Sequence, residues 1–205
     1  TMESAMQEVL ASLEGGKISR VAVTPGGEVR GWISAAPQYR GHVWELHPLV
    51  VKQEYRRQGV GRALVEDLVR QVKARGGLTI WLGTDDEANM TSLSGVELFP
   101  GVLNHLAGIK NLREHPFEFY QKVGFEIIGV MPDANGPGKP DILMGRPLRQ
   151  RQRFKGFRDD YPEPGEVLFR RTDKWLHVHR ARNRGEGIVE VMQVGDLRLD
   201  PPHDF

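Results

Sequence analysis

Residues 53–64 read Gln-Glu-Tyr-Arg-Arg-Gln-Gly-Val-Gly-Arg-Ala-Leu, QEYRRQGVGRAL, and they join two different periodicities. Before them, His42 to Val51 (HVWELHPLVV) is rich in apolar and β-branched residues and predicts a strand. After them, Val60, Leu64, Leu68 and Val72 recur every four residues and predict a helix that ends near Gly76-Gly77. The turn between holds Arg56, Arg57, Gly59, Gly61 and Arg62. A helix N-terminus leaves backbone N–H groups unpaired and carries a partial positive charge. Glycines let an anion approach the backbone, and arginines add charge, so the stretch reads as an anion seat. On these residues alone, a helix start that is merely basic is the alternative.

Outward from that stretch the chain alternates strands and helices. Met6, Val9, Leu10 and Leu13 give a helix from Glu3 to Leu13, stopped by Gly15-Gly16. Ile18 to Val23 and Val29 to Ala36 read as strands joined by the turn Pro25-Gly26-Gly27. Pro48 lies within the third strand and interrupts its ladder. Leu78 to Leu82 is a short buried strand closed by Gly83, and Thr84 to Pro100 is polar and loop-like. Helices follow around Val102 to Ile109 and Pro116 to Val123. Strands at Phe125 to Met131 and Pro140 to Pro147 then flank the loop Asp133 to Gly138. At Arg149 the composition shifts. The map is an α/β domain over 1–148, a basic and Pro/Gly-containing linker over 149–166, and a small β-rich tail over 167–205. Short strands are predicted there in VLFRRT, KWLHVHRAR, GIVEVMQVG and DLRLD.

The 205 residues suffice for one good core. A hydrophobic content of 39%, a charged content of 27% and a net charge of +1 fit a soluble globular protein and demand neither nucleic acid nor an anionic membrane. With no cysteine, a disulfide framework, a thiolate nucleophile and a cysteine metal site are excluded. No apolar run approaches the roughly 20 residues of a spanning helix. The acidic start TMESAMQEVLASLEGG is unlike a signal peptide, so a cytoplasmic location is the expectation.

Arg56-Arg57-Gln58-Gly59-Val60-Gly61 fits the pattern Arg/Gln-x-x-Gly-x-Gly/Ala, and Phe119-Tyr120-Gln121-Lys122-Val123-Gly124-Phe125 follows downstream. The two signatures, in that order with a strand between them, resemble the GNAT superfamily of N-acetyltransferases. WELHPLVV, RGGLTIWLGTDD, NLREHPFEFYQKVGF and GVMPDANGPGKPDI narrow the resemblance to aminoglycoside 6'-N-acetyltransferases of the chromosomal resistance type. It runs from about residue 5 to residue 147. The family begins with a further strand and helix that this sequence lacks, and the tail is not part of the family pattern. The fold implied is a GNAT-type mixed, twisted α/β sheet flanked by helices, with the small β-rich tail as an extension. The co-substrate implied is acetyl-CoA. It would lie where the strand ending near Val51 parts from the strand at Leu78 to Leu82. The family is commonly dimeric, which implies a homodimer.

Direct acetyl transfer needs a coenzyme seat, a neutral amine, a polarised carbonyl and a proton for the leaving thiolate. The resemblance places the seat at Arg57, Gln58, Gly59, Val60, Gly61 and Arg62, with Val50, Val51 and Asn111 along the pantetheine arm. Pro48 points to a freed N–H at Leu49 as donor to the thioester oxygen. Glu45 and His47 are two apart on a strand and share a face. The resemblance puts Glu45 at the substrate amine as first candidate base, with His47 second. Tyr120 is placed near the coenzyme sulfur as proton donor. No cluster of His, Asp and Glu supports a metal role. A cationic amine substrate calls for acids, and Asp85, Asp86, Glu87 and Asp141 are candidates, with Tyr39 lining the same cleft. Two alternatives stay open: another small polyamine or a basic protein as acceptor, or a catalytically impaired coenzyme-binding module acting through its tail. RQRQRFKGFR, with Trp175, His177 and His179, is a poor signal for nucleic acid.

Overall fold

Every strand and helix that periodicity predicts through residue 148 forms in the computed structural model, which describes residues 2–148 and 190–193. In chain order these are α1 (Met2–Ser12), β1 (Ile18–Val23), β2 (Val29–Gln38), β3 (Val43–Val51), α2 (Val60–Ala74), β4 (Thr79–Asp85), α3 (Val102–Ala107), α4 (Phe117–Lys122), β5 (Glu126–Met131), β6 (Asp141–Pro147) and β7 (Glu190–Gln193). They build one mixed sheet in the order β5-β6-β4-β3-β2-β1-β7. Among the described strands only the β3–β4 pair is parallel, because α2 carries the chain back between those two strands. Among the described residues no helix is long and apolar enough to cross a membrane.

The sheet is covered by helices on both faces. Val60, Leu64, Val65, Leu68, Val69 and Val72 of α2 are buried, each contributing about 1.5–3 kcal/mol of hydrophobic stabilisation before entropy is counted. Gly31 on β2 lets α2 settle this close. A Cβ there would lie 2.8 Å from the Val50 carbonyl oxygen and 3.1 Å from a Leu64 methyl. Cross-strand partners share a face. Gly31, Ile33 and Ala35 therefore point to α2 together with their partners Val51, Leu49 and Leu46, as do Trp44 and its β4 partner Ile80. The opposite face carries Ser34, Ala36, Glu45 and His47, then Trp81, Gly83 and Asp85, then Asp141.

On that opposite face α1 docks through polar groups, against its apolar periodicity. The Ser12 hydroxyl donates to the Val9 carbonyl at 2.6 Å and meets the Ser19 hydroxyl at 2.9 Å, which also accepts from the Trp32 indole. Met6 and Leu10, each 58% exposed, turn outward with Leu13. The inward face is Glu8, Ala11 and Ser12.

Three particulars depart from expectation. Tyr39 does not end a simple turn. It opens a short 3-10 segment, Tyr39–Gly41, with φ of 47°. β4 continues three residues past Leu82, to Asp85. Gly83 is a glycine because the Asp141 carboxylate lies across it, leaving no room for a side chain, and not because the strand stops there. The polar loop beyond β4 also contributes Leu93 and Leu98 to the core. Of the tail, Glu190–Gln193 falls within GIVEVMQVG and pairs antiparallel with β1, from Val23↔Glu190 to Arg20↔Gln193. The linker over 149–166, the strands predicted in VLFRRT, KWLHVHRAR and DLRLD, and Trp175, His177 and His179 lie outside the described residues.

Candidate active site

β3 and β4 pair only at Val43↔Thr79, Trp44↔Ile80 and Glu45↔Trp81. Beyond Glu45 they part, β3 running on to Val51 and β4 to Asp85 while β4 keeps its ladder to β6. The result is a V-shaped gap through the sheet with Glu45 at its apex. β3 carries one extra residue against β2, since Ile33 faces Leu49 while Ala35 faces Leu46. This bulge at His47-Pro48 shifts the side-chain parity, so Leu46 and Leu49, three apart, both face α2.

The orientation of Leu49 follows from the ladder. The Lys52 N–H donates to the Arg30 carbonyl at 2.9 Å, and bonded and non-bonded pairs alternate in an antiparallel ladder. Trp32 and Val50 then form a bonded pair, and Leu49 and Val51 turn their peptide groups away from β2, toward β4. With β4 diverged, the Leu49 N–H points into the gap. The divergence from β4 frees this donor, while Pro48 contributes the bulge.

At the end of β3 the chain passes through Gln53–Tyr55 into a turn with positive φ at Arg57 (61°) and Gly59 (82°), and α2 starts at Val60. The first bond back along the helix is from the Ala63 N–H to the Gly59 carbonyl. The N–H groups of the first turn, through Arg62, have no partner within the helix and point out of its N-terminal end. A Cβ on Gly61 would lie 3.2 Å from the Phe119 ring and 3.7 Å from Val51, so this glycine holds α2 against α4. Arg57 pairs with Glu114 at 3.1 Å with both side chains largely exposed, leaving the guanidinium free to exchange partners. Arg62 reaches the Lys122 carbonyl, and Gln58 the Glu54 carbonyl. Val50 is exposed and Val51 half-buried beside this seat.

On the face away from α2, a cleft of about 210 Å³ is lined by Glu8, Lys17, Ser34, Ala36, Glu45 and His47, with Ala11 and Ser12 of α1. Glu45 accepts one hydrogen bond, from the Gln38 amide at 3.1 Å. His47 Nε2 lies 2.9 Å from Glu8 Oε1. A carboxylate only accepts, so Nε2 carries a proton; in the neutral ring Nδ1 then holds the lone pair. The structure thus brings Glu45 and His47 together and adds Glu8, which sequence reading missed. Its place on the inward side of α1, one turn before Ser12, was the available signal.

The acids predicted around β4 separate. Asp85 is exposed, accepts from the Asn135 amide at 2.8 Å and lies opposite Asp141 in the ladder. Asp141 Oδ1 is buried with no partner among the described residues. Burial, and next the Asp85 charge, push the Asp141 carboxyl up to about 6, against a backbone hydrogen bond from Thr84. Both acids share the face of Glu45, and Asp85 stands four residues beyond Trp81, roughly 13 Å along the strand. Asp86 has no access to a substrate. It is 0% exposed and accepts from the Met90 N–H, the Thr91 N–H and the Thr91 hydroxyl. Burial raises its pKa, but these bonds and Ser94 outweigh that and leave it lowered. It anchors the loop. Glu87 is exposed in that loop, and Tyr39, 77% exposed, does not line the cleft.

Tyr120 packs edge-on between Phe119 and Phe125 on α4, the helix that touches Gly61. Its hydroxyl bonds to no described residue, and burial alone pushes its pKa up to about 12. It stays a phenol across the working pH range. Both ends of the Asn111 amide are engaged by the His115 backbone, at 2.8 and 3.1 Å.

The site thus combines strands that part beyond Glu45, a glycine- and arginine-bearing helix N-terminus at the exit, and a half-buried phenol on α4. Residues 5–94 match the acetyltransferase (GNAT) family. The chain belongs to this family of acetyltransferases. It is similar to a crystal structure of an aminoglycoside 6'-N-acetyltransferase complexed with coenzyme A. That structure is 45% identical, with a TM-score of 0.70 over 73% of this chain and 82% of that one. The Enterococcus faecium aminoglycoside 6'-N-acetyltransferase gives 45% identity and a TM-score of 0.70 over 74% and 85%. An aminoglycoside 6'-acetyltransferase type Ii gives 37% and 0.56 over 73% and 81%. No curated protein sequence matches the chain.

Proposed function

We propose that the chain transfers the acetyl group of acetyl-CoA to the 6'-amine of aminoglycosides. One observation carries the choice of acceptor. Glu8, Glu45, Asp85 and Asp141 come from four separate elements, yet all border the same face of the sheet, on the far side of the gap from α2. Such a face suits a rigid sugar bearing several ammonium groups, with one amine at Glu45 and others toward Asp85 and Asp141. The 45% identity to aminoglycoside 6'-N-acetyltransferases supports the same acceptor, and the coenzyme A bound to one of them supports the co-substrate.

In this reading the coenzyme pyrophosphate sits on the N–H groups from Gln58 to Arg62, and Arg57 leaves Glu114 to pair with it. The pantetheine arm runs along the edge of β3, past the exposed Val50 side chain and the Val51 peptide, which faces the gap and whose carbonyl accepts from Arg56 Nε at 3.2 Å, with Asn111 further along. The open oxygen of Glu45 accepts the proton of the arriving ammonium, directly or through water, and His47 Nδ1 is the second acceptor. The neutral amine attacks the thioester carbon. The Leu49 N–H stabilises the oxygen as it gains charge. The carbon–sulfur bond then breaks, Tyr120 donates its proton to the thiolate, and the nitrogen releases its second proton to solvent, from which Tyr120 is reprotonated.

The test is thiol release from acetyl-CoA with paired aminoglycosides that differ only in an amine or a hydroxyl at the 6' position. Turnover of the 6'-amine member alone is expected. Equal turnover of both members, or turnover only of a linear polyamine, contradicts the assignment.

A further inference from the structure

His115 is used nowhere in that scheme, yet it is 1% exposed and bonded on every side. Its Nδ1 accepts from the Phe117 N–H at 3.2 Å, the first residue of α4. Its Nε2 lies 3.0 Å from the Asp85 carbonyl oxygen, at the last residue of β4. A carbonyl only accepts and an N–H only donates, so one arrangement satisfies both contacts: Nε2 protonated, Nδ1 bare, ring neutral. Its backbone is clamped by the Asn111 side chain, and its ring packs tilted against Phe117 with centroids 5.5 Å apart.

Those two bonds join parts of the site that lie far apart in sequence. α4 carries Tyr120, one turn beyond Phe117. β4 ends at Asp85, opposite Asp141. We propose that His115 is a positioning residue for acetyl transfer, fixing the helix that holds the proton donor to the strand end that holds the acceptor-side carboxylates. The inference rests on Tyr120 being the donor to the thiolate.

A second proton would make Nδ1 a donor facing the Phe117 N–H, and that contact would become repulsive. Burial lowers the His115 pKa, while the Asp85 carbonyl and the charges of Asp86 and Asp85 oppose that. These two carboxylates, from the end of β4 and the turn after it, are the charges among the described residues that act on the ring, and the net direction keeps it neutral.

The test is a double-mutant cycle between His115 and Tyr120 read in kcat, KM for acetyl-CoA and thermal unfolding. His115→Leu removes both bonds. His115→Asn keeps an acceptor for Phe117, and His115→Gln keeps a donor for Asp85, so the cycle survives if the leucine variant does not fold. Loss of alignment at the sulfur is expected to lower kcat about 10- to 100-fold in His115→Leu, with KM for acetyl-CoA within about twofold. The single-bond variants should fall between. Tyr120→Phe should cost much less in the His115 variants than in the wild type. Tyr120→Phe alone reports on the donor assignment: an unchanged kcat there overturns that assignment and the positioning role with it. If Tyr120→Phe does lower kcat, losses that multiply independently, or a folded His115 variant with wild-type kcat, overturn the positioning role alone.

Discussion

Replacing Asp141 by asparagine separates stability from function in a way the geometry makes quantitative. Asp141 faces Asp85 across the β4–β6 ladder, and its Oδ1 is buried with no partner among the described residues. Its carboxyl is pushed from the ordinary 3.8 up to about 6, first by burial and then by Asp85. Above that pH the folded chain holds a charge it binds less favourably than the unfolded chain does. At 1.36 kcal/mol per pH unit the gap amounts to about 3 kcal/mol, and partial solvent access reduces it to roughly 1–2 kcal/mol. The sign is fixed by proton counting. Between 3.8 and about 6 the native state holds more of this proton than the unfolded state, so stability falls as the pH rises through that window and the penalty is constant above it. Asp141→Asn removes the charge at nearly the same volume. Urea unfolding near pH 8 should show a stabilisation of roughly 1–2 kcal/mol that vanishes near pH 4. The same variant should raise the aminoglycoside KM about tenfold with the acetyl-CoA KM unchanged, about 1.4 kcal/mol of lost attraction to an ammonium. A variant no more stable than wild type near pH 8, together with an unchanged acceptor KM, refutes the reasoning.

Other consequences follow from single contacts. Gly61→Ala sets a methyl 3.2 Å from the Phe119 ring, so it should destabilise by about 1 kcal/mol and raise KM for acetyl-CoA more than KM for the acceptor, as steady-state kinetics can show. Asp86→Ala strands the Met90 N–H, the Thr91 N–H and the Thr91 hydroxyl, and should cost about 2–4 kcal/mol in thermal or urea unfolding. Because the folded His115 pKa lies below 6.5, only the unfolded chain takes up that proton just under 6.5. The stability it protects is whole above that value and is lost as the pH falls through the folded pKa. Denaturation at several pH values should show a shallower acid slope in His115→Gln than in wild type.

Local signals carried most of the fold. The four-residue spacing of Val60, Leu64, Leu68 and Val72 and the turn chemistry of Pro25-Gly26-Gly27 act within a few residues, and the elements they predict formed where expected. Pro48 was legible as an interruption of β3. That the peptide of Leu49 faces the gap depends on where β4 diverges, a nonlocal fact of the β3–β4 register. The acids around β4 show the same division. Ile80, Leu82 and Thr84 are buried at alternate positions, and Asp86 continues that row, so its burial was present in the alternation. The approach of Asp141 to Asp85 was not, because it arises from pairing between strands more than 50 residues apart. α1 reads as a helix, but its apolar stripe points to the wrong face. The Ser12–Ser19 hydroxyl contact ties it to the sheet, with Ser19 itself held by the Trp32 indole, and His47 meets Glu8 in the cleft.

The most direct test of the central claim is the position of the acetyl group in the product. Purified chain, acetyl-CoA and an aminoglycoside with several amines are incubated to completion, and the product is mapped by two-dimensional NMR, with Glu45→Gln in parallel. An acetyl amide on the 6' nitrogen alone, formed far more slowly by Glu45→Gln, is the predicted result. Acetylation at another amine, or no acetylated sugar from a folded chain that binds acetyl-CoA, would contradict it.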